Sequence, residues 1–194
     1  MFDLHHGYGY RVTLLITSVL LLGLAAAGAA ADTLRVPSEY PTIQAGIDAA
    51  QDGDEVLVAD GVYTGEGNRD LDFGGKLITV HSENGPDNCI IDCEGTEEDP
   101  HRGFYFHNDE TAAAVVEGFT IRNGFALQGG GIYCRPASPT ISMCTLEDNR
   151  SESSGGGFYS QNGSPTIRSC TFIHNKSEGG PGGGAISCWD GSVL

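Results

Sequence analysis

The chain has 194 residues, of which 26 are acidic and 10 are basic, and its formal net charge is −16 at neutral pH. Such a surface repels polyanions, so nucleic acid and anionic membrane surfaces are excluded as favourable partners. The acidic residues are scattered along the chain, which favours a folded, solvated surface over a disordered acidic tail.

Residues 1–31 have the composition of a secretory signal peptide. Arg11 precedes an apolar run at residues 12–24, and small residues follow. This order predicts cleavage before Asp32, so that the mature chain, residues 32–194, is secreted or held at the cell surface. The alternative is an uncleaved anchor, because the apolar and small residues together are long enough to span a bilayer. Cleavage leaves the net charge at −16 and leaves no expected membrane span.

One amphipathic helix is predicted near the mature N-terminus. Pro41 suits its first turn, and an Asp-Gly pair ends it. Ile43, Ile47 and Ala50 share one face at helical spacing. The helix is interpreted as a cap over the first coil of the repeat structure described below, since that coil would otherwise expose unpaired backbone groups.

Short β-prone runs bounded by Gly, Asn, Asp or Pro follow the helix. They are predicted at residues 55–58, 77–80, 89–91, 103–106, 115–116 and 119–121. These runs are interpreted as the first, less regular coils.

A sequence repeat occupies the last third of the chain. GGGIYC at residues 129–134 recurs as GGGFYS at 155–160 and as GGAISC at 183–188, while SPTI at 138–141 returns at 164–167. The steps are 26 residues, or 28 where one turn is lengthened. Three short strands linked by turns, closing one coil in about 26 residues, fit this pattern. The glycine triplets suit sharp bends or positive φ.

A leucine-rich repeat has a similar period and is the alternative architecture. It needs several regularly spaced leucines, whereas each repeat here has one leucine or none, many glycines and no helical periodicity. The sequence therefore predicts parallel coils stacked about 4.8 Å apart. In such a stack Leu146 and Phe172 would lie above one another inside, and Asn149 and Asn175 would lie above one another at a turn. Asn123 shares the same spacing.

Several motifs resemble those of exported right-handed β-helix proteins of the pectate-lyase-like superfamily. The PTIQAGI, DGDEV and GVY segments within residues 41–63 resemble the N-terminal segment of these proteins, and residues 118–124 resemble their first regular coil. FIHN at 172–175 with GGAI at 183–186 is similar to a motif pair of polymorphic outer-membrane protein repeats. The resemblance, which covers about residues 33–194, implies an all-β, right-handed parallel β-helix with an N-terminal capping helix. Superfamily members include polysaccharide lyases and hydrolases, surface adhesins, passenger domains and envelope proteins that handle metal.

Lyase chemistry would need carboxylates that bind Ca²⁺ beside a base, and hydrolase chemistry would need paired carboxylates. Asp70 with Asp72, and Asp92 with Glu94, would each project from one face of a strand. An acidic loop follows, with His101 behind it. The candidates for a Ca²⁺ or sugar site are Asp92, Glu94, Glu97, Glu98 and Asp99. A solvated acidic loop is the favoured interpretation, with no required cofactor and no catalytic residue assigned.

All six cysteines follow the leader, where disulfides can persist, and their spacing leaves the pairing open. Cys89 and Cys93 lack the paired spacing of a zinc site, so a local disulfide or buried thiols are favoured. Cys144 and Cys170 share one repeat position and are predicted to stack inside the coils. Trp189, as a lone aromatic residue, is too little to indicate a sugar-stacking platform.

These observations favour a non-catalytic, surface-exposed β-helix of adhesin-like type, a stalk or passenger whose partner is a polysaccharide or another surface protein. The alternative is the N-terminal part of a polysaccharide lyase or glycoside hydrolase whose catalytic coils lie beyond residue 194. An envelope protein that handles metal is the third hypothesis. The chain is expected to be incomplete at its C-terminus, because it stops where a strand equivalent to the one at Ile167 begins.

Overall fold

The computed structural model describes residues 30–179 and 182–190, and the structural statements below concern those residues. From Ala31 onward they belong to one compact unit. The predicted signal peptide lies outside the described residues except at its last two positions, and so does the predicted strand start at residues 191–194. Within the described residues, no helix is long and apolar enough to cross a membrane.

The predicted helix is present as α1, Ile43–Ala49. It begins two residues after Pro41 because Thr42 is the N-cap, with its Oγ1 accepting a hydrogen bond from Ala45 N at 3.2 Å. The predicted apolar face, formed by Ile43, Ile47 and Ala50, is buried. The helix packs on the first two strands of the chain, which supports its interpretation as a cap on the first coil.

Eighteen short strands follow one another in the described residues and form four parallel sheets. Sheet 1 contains β1 Thr33–Val36, β2 Glu55–Val58, β4 Thr79–Ser82, β7 Val115–Glu117, β11 Thr140–Ser142 and β15 Thr166–Arg168. Sheet 2 contains β3 Gly61–Tyr63, β5 Cys89–Asp92, β8 Thr120–Arg122, β12 Thr145–Glu147 and β16 Thr171–Ile173. Sheet 3 contains β6 Phe104–Phe106, β10 Ile132–Cys134, β14 Phe158–Gln161 and β18 Ile186–Trp189. Sheet 4 contains β9 Phe125–Gln128, β13 Arg150–Ser154 and β17 Lys176–Ser177.

The architecture is a parallel β-helix of about six turns with about 26 residues per turn, which confirms the predicted fold class. Sheets 1 to 3 correspond to the three predicted strands of each coil. Sheet 4 was not predicted. Its central strand, β13, has the sequence RSESS, which lacks the apolar alternation that indicates a strand, and it pairs through its backbone with β9 and β17.

The core consists of side chains that repeat at the same position of successive coils. In sheet 2, Ile121, Leu146 and Phe172 are in register, so the predicted stack of Leu146 on Phe172 is confirmed. Ile121 and Leu146 are fully buried, whereas Phe172 is half-buried because β16 is the edge strand of its sheet. Burial of one such side chain stabilises the fold by about 1.5–3 kcal/mol, and the repeat multiplies that contribution.

An asparagine ladder forms at the turn after sheet 2, as predicted for Asn149 and Asn175. Asn149 is fully buried and donates from Nδ2 to Ile121 O at 2.9 Å, while its Oδ1 accepts from Gly124 N at 2.9 Å. Asn175 repeats the first contact one coil later, donating from Nδ2 to Leu146 O at 2.8 Å. The ladder therefore satisfies backbone groups that the bend leaves unpaired.

Asn123 is not part of this ladder, although it has the same sequence spacing. The register of the flanking strands pairs Arg122 with Glu147 and Phe125 with Arg150. Asn123 consequently lies below Asp148, and its exposed Nδ2 donates to Asp92 Oδ1 at 3.0 Å. The coil from Arg122 to Glu147 is one residue shorter than the spacing of the glycine triplets. Asn123 is therefore not in register with Asn149.

Candidate functional site

The predicted acidic residues lie at and after the end of β5. This strand ends at Asp92, and Glu94 has a left-handed backbone with φ 51°. Asp92 Oδ2 accepts a hydrogen bond from Arg122 Nε at 3.0 Å, whereas Glu94 Oε2 lies 3.4 Å from Arg69 Nη1. The expectation that Asp92 and Glu94 project from one face of a strand is wrong, because Glu94 lies beyond the strand.

The rest of the acidic cluster forms an exposed loop. Thr96 and Asp99 hydrogen-bond to each other, from Thr96 N to Asp99 O and from Asp99 N to Thr96 Oγ1, each at 3.0 Å. Glu97 and Glu98 at the tip of this turn are exposed. No group of three or more His, Cys, Asp or Glu side chains within the described residues is arranged to hold a metal ion. The Ca²⁺ or sugar site at these residues stays a prediction.

Coil stacking brings together two residues that are distant in sequence, Asp70 and His101. Asp70 N donates to Arg102 O at 2.7 Å, which aligns the two segments. His101 Nδ1 then lies 2.5 Å from Asp70 Oδ2, while Asp70 Oδ1 accepts from Arg102 N at 2.9 Å. The other predicted pair member, Asp72, instead accepts from Gly74 N at 2.8 Å. A carboxylate bound to Nδ1 holds an imidazole in one orientation, which is the arrangement of a general acid or base.

The Asp70–His101 pair borders an open pocket of about 380 Å³. Its lining also includes Glu66, Arg69 and Asp99. His101 Nε2 lies 3.2 Å from Asp99 Oδ2, and Arg69 Nη2 lies 4.0 Å from the same oxygen. The pocket thus has acid–base groups and one cation, but the loop carboxylate already contacts both His101 and Arg69.

A second feature is a row of three tyrosines on the outer face of sheet 3, here called the tyrosine column. Tyr105, Tyr133 and Tyr159 are in register on β6, β10 and β14. Their ring centroids are 5.3 and 5.4 Å apart in sequence order. The Arg102 guanidinium lies 5.1 Å from the first ring and 5.0 Å from the second, which adds cation–π attraction.

Sequence reasoning missed the tyrosine column, although part of its signal was present. Tyr133 and Tyr159 follow the glycine triplets at the same repeat position, which predicts that they stack. Tyr105 precedes the regular repeats and has no triplet before it, so its place depends on the register of β6 with β10.

The six cysteines are free thiols, and Cys89 and Cys93, for which a local disulfide or buried thiols were predicted, are buried. Cys89 Sγ donates to Ala59 O at 3.5 Å, and burial raises the pKa of this thiol to about 12. Burial also raises the pKa of Cys93. The structure therefore agrees with buried thiols at these two positions and not with a local disulfide.

Cys144 and Cys170 lie at the same position of adjacent coils, just before the paired residues Thr145 and Thr171, as predicted. Cys144 is buried and Cys170 is half-buried on the edge strand side. The hydrogen bond from Cys144 lowers the pKa of the Cys170 thiol to about 7, whereas burial raises the pKa of Cys144. The two stacked thiols therefore differ in chemistry.

We expect Cys170 of the folded protein to react with iodoacetamide at a rate that rises steeply between pH 6 and 8, because the thiolate is the nucleophile. Cys144 should stay unmodified until denaturant is added. Cys188 is the internal control: the residue is largely exposed, but partial burial raises the pKa of its thiol, so it should gain reactivity only at higher pH. Site-resolved mass spectrometry measures all three rates, and a Cys170 that reacts only after denaturation would contradict this assignment.

Residues 46–193, more than half of the chain, match the sequence model of a family described as the right handed beta helix region. The chain belongs to this right-handed β-helix family. Membership establishes the handedness of the coils and agrees with the resemblance to the pectate-lyase-like superfamily. No curated protein and no solved structure matches the chain.

Proposed function

We propose that the mature chain acts outside the cytoplasm as a non-catalytic, surface-exposed β-helix, a stalk or passenger of adhesin-like type. The observation that carries this proposal is that arginines contact two of the acidic candidates. Asp92 is paired with Arg122, and Glu94 lies near Arg69, so an arginine already balances the charge of each of these two carboxylates. Export is supported by the leader-like composition of residues 1–31.

The outer faces support the same function. Many outward side chains are engaged with a neighbour on the next coil, as in the tyrosine column and in the ion pair between Arg150 and Glu178 at 2.6 Å. Cross-coil pairs of this kind make a regular, stiff rod, because each coil is held by its neighbours. The net charge of −16 keeps such a rod soluble. Its stiffness would hold a binding face away from the surface of the cell.

A second candidate function is a carbohydrate-active enzyme, a lyase or a glycoside hydrolase. One specific observation favours it, the Asp70–His101 pair beside a pocket that also contains Arg69. Such a set could remove or deliver a proton next to a cation that stabilises negative charge. A glycosidase would also need a second carboxylate at a defined separation from the first. Of the other carboxylates that line the pocket, those of Glu66 and Asp99, the second is in contact with His101 instead.

The expected result for the full chain is no turnover of acidic or neutral polysaccharides, with or without Ca²⁺, at any pH from 5 to 9. Release of reducing ends and formation of unsaturated products, read at 235 nm, measure hydrolysis and elimination respectively. Asp70→Asn and Asp92→Asn are the variants that distinguish the two candidate sites. Reproducible turnover that Asp70→Asn abolishes would establish the second candidate and overturn the non-catalytic proposal. Turnover that Asp92→Asn abolishes would also overturn the non-catalytic proposal and would place the chemistry at the end of β5.

A further inference from the structure

The tyrosine column ends in a pocket of about 300 Å³ on the outer face of the β-helix, here called the Trp189 pocket. Its wall is formed by the indole of Trp189, the guanidinium of Arg135, the amides of Gln128 and Gln161, and the hydroxyls of Ser153 and Ser154. The indole of Trp189 is 40% exposed. Its Nε1 donates to Ser187 Oγ at 2.7 Å, which holds the ring beside the position in register with Tyr159.

Register explains why these groups meet. Gln161 and Trp189 are paired residues of β14 and β18, and Arg135 directly follows β10, the strand on the other side of β14. Tyr159 forms the floor of the pocket, is 2% exposed, and donates from its hydroxyl to Gln161 Oε1 at 3.1 Å. The floor and one amide are therefore fixed before any ligand arrives, which lowers the cost of binding.

The pocket contains an arginine that forms no ion pair with the described residues, although the chain is strongly acidic. Arg69, Arg122 and Arg150 each form an ion pair with a carboxylate. The exposed Arg135 forms none with any described residue, and the same holds for Arg35, Arg102 and Arg168, which do not line this pocket. The nearby carboxylate of Asp190 accepts a hydrogen bond from Gln161 Nε2. The pocket consequently presents a guanidinium that lacks an anionic partner next to an exposed indole.

We propose that the Trp189 pocket binds a sugar that carries one carboxylate, a uronic acid residue within an otherwise neutral glycan. An indole face packs against the C–H face of a pyranose ring, amides and hydroxyls bind its hydroxyl groups, and a guanidinium binds a carboxylate through two parallel N–H donors. The net charge of −16 disfavours a polyanionic chain, so a single carboxylate for each site is the better match. The inference names the ligand class of the surface rod and rests on that proposed function.

The test uses the full chain and two disaccharides that differ by one group, glucuronosyl-glucose and its neutral counterpart cellobiose. Trp189 is the single tryptophan of the chain, so its fluorescence reports directly on the pocket. We expect saturable quenching by glucuronosyl-glucose and binding of cellobiose that is at least about tenfold weaker, because a charge-assisted hydrogen bond is lost. Arg135→Gln should weaken binding of the acid by about tenfold or more and leave cellobiose binding unchanged.

Arg168→Gln is the matched control, since it removes the same charge from an exposed arginine of β15 in sheet 1. It should change the affinity by less than about twofold, as expected for a remote surface charge. Equal binding of the two disaccharides, equal effects of the two arginine variants, or no saturable change in fluorescence would each overturn the inference. None of these binding results bears on the non-catalytic proposal. Only turnover of a polysaccharide would overturn that proposal.

Discussion

Replacement of Asn149 by alanine should lower the free energy of unfolding by about 3 kcal/mol or more, since two buried backbone groups lose their partners. These groups are Gly124 N and Ile121 O, each 2.9 Å from the Asn149 side-chain amide. Asn175 Oδ1 also loses one of its donors, Asn149 Nδ2 at 3.0 Å. Urea denaturation followed by far-ultraviolet circular dichroism measures the loss as a shift of the midpoint at constant slope.

Asn123→Ala is the matched control, because Asn123 has the same sequence spacing but lies outside the ladder. Its side chain makes one exposed hydrogen bond, to Asp92, and its φ is 54°. Alanine in this left-handed conformation costs about 1 kcal/mol, so a smaller loss is expected than for the ladder residue. Equal losses from the two variants would mean that the buried amide of Asn149 does not hold the coils together.

Gly130→Ala should destabilise the protein by about 3 kcal/mol, because the added methyl group has no space between adjacent coils. A Cβ at this position would overlap Arg150 O and lie 2.8 Å from Gly156 O. Both atoms belong to the backbone, so neither can move away as a flexible side chain would. The neighbouring Gly129 has a φ of 60°, as expected for the triplet from its sequence, whereas the close approach of chains at Gly130 was not predicted.

Gly61→Ala is the control for the glycine variant. A Cβ at Gly61 would lie 3.5 Å from the Tyr63 ring, an ordinary contact, and the residue belongs to strand β3. We expect a change of less than about 1 kcal/mol for this variant, with a slight gain from the less flexible unfolded chain. Thermal unfolding of both variants, monitored by circular dichroism, tests the difference. A Gly130→Ala protein that melts at the same temperature as Gly61→Ala would show that the coils can separate at that point without cost.

Local patterns and strict repetition in the sequence were enough to predict two parts of the fold. The spacing of Ile43, Ile47 and Ala50 predicted α1, because one helical face must be apolar for the helix to pack. The repeat predicted the parallel coils and the stacking of Leu146 on Phe172, because equal steps place equivalent residues above one another.

Features that depend on the register between coils of unequal length could not be predicted from the sequence. Asn123 and Asn149 have the spacing of one repeat, yet they occupy different positions because the coil between them is one residue short. In the less regular coils no motif connects Asp70 with His101, and the backbone pairing of the two segments brings their side chains together. Cross-coil register is set by the sum of all turn lengths between two strands, which no single local pattern encodes.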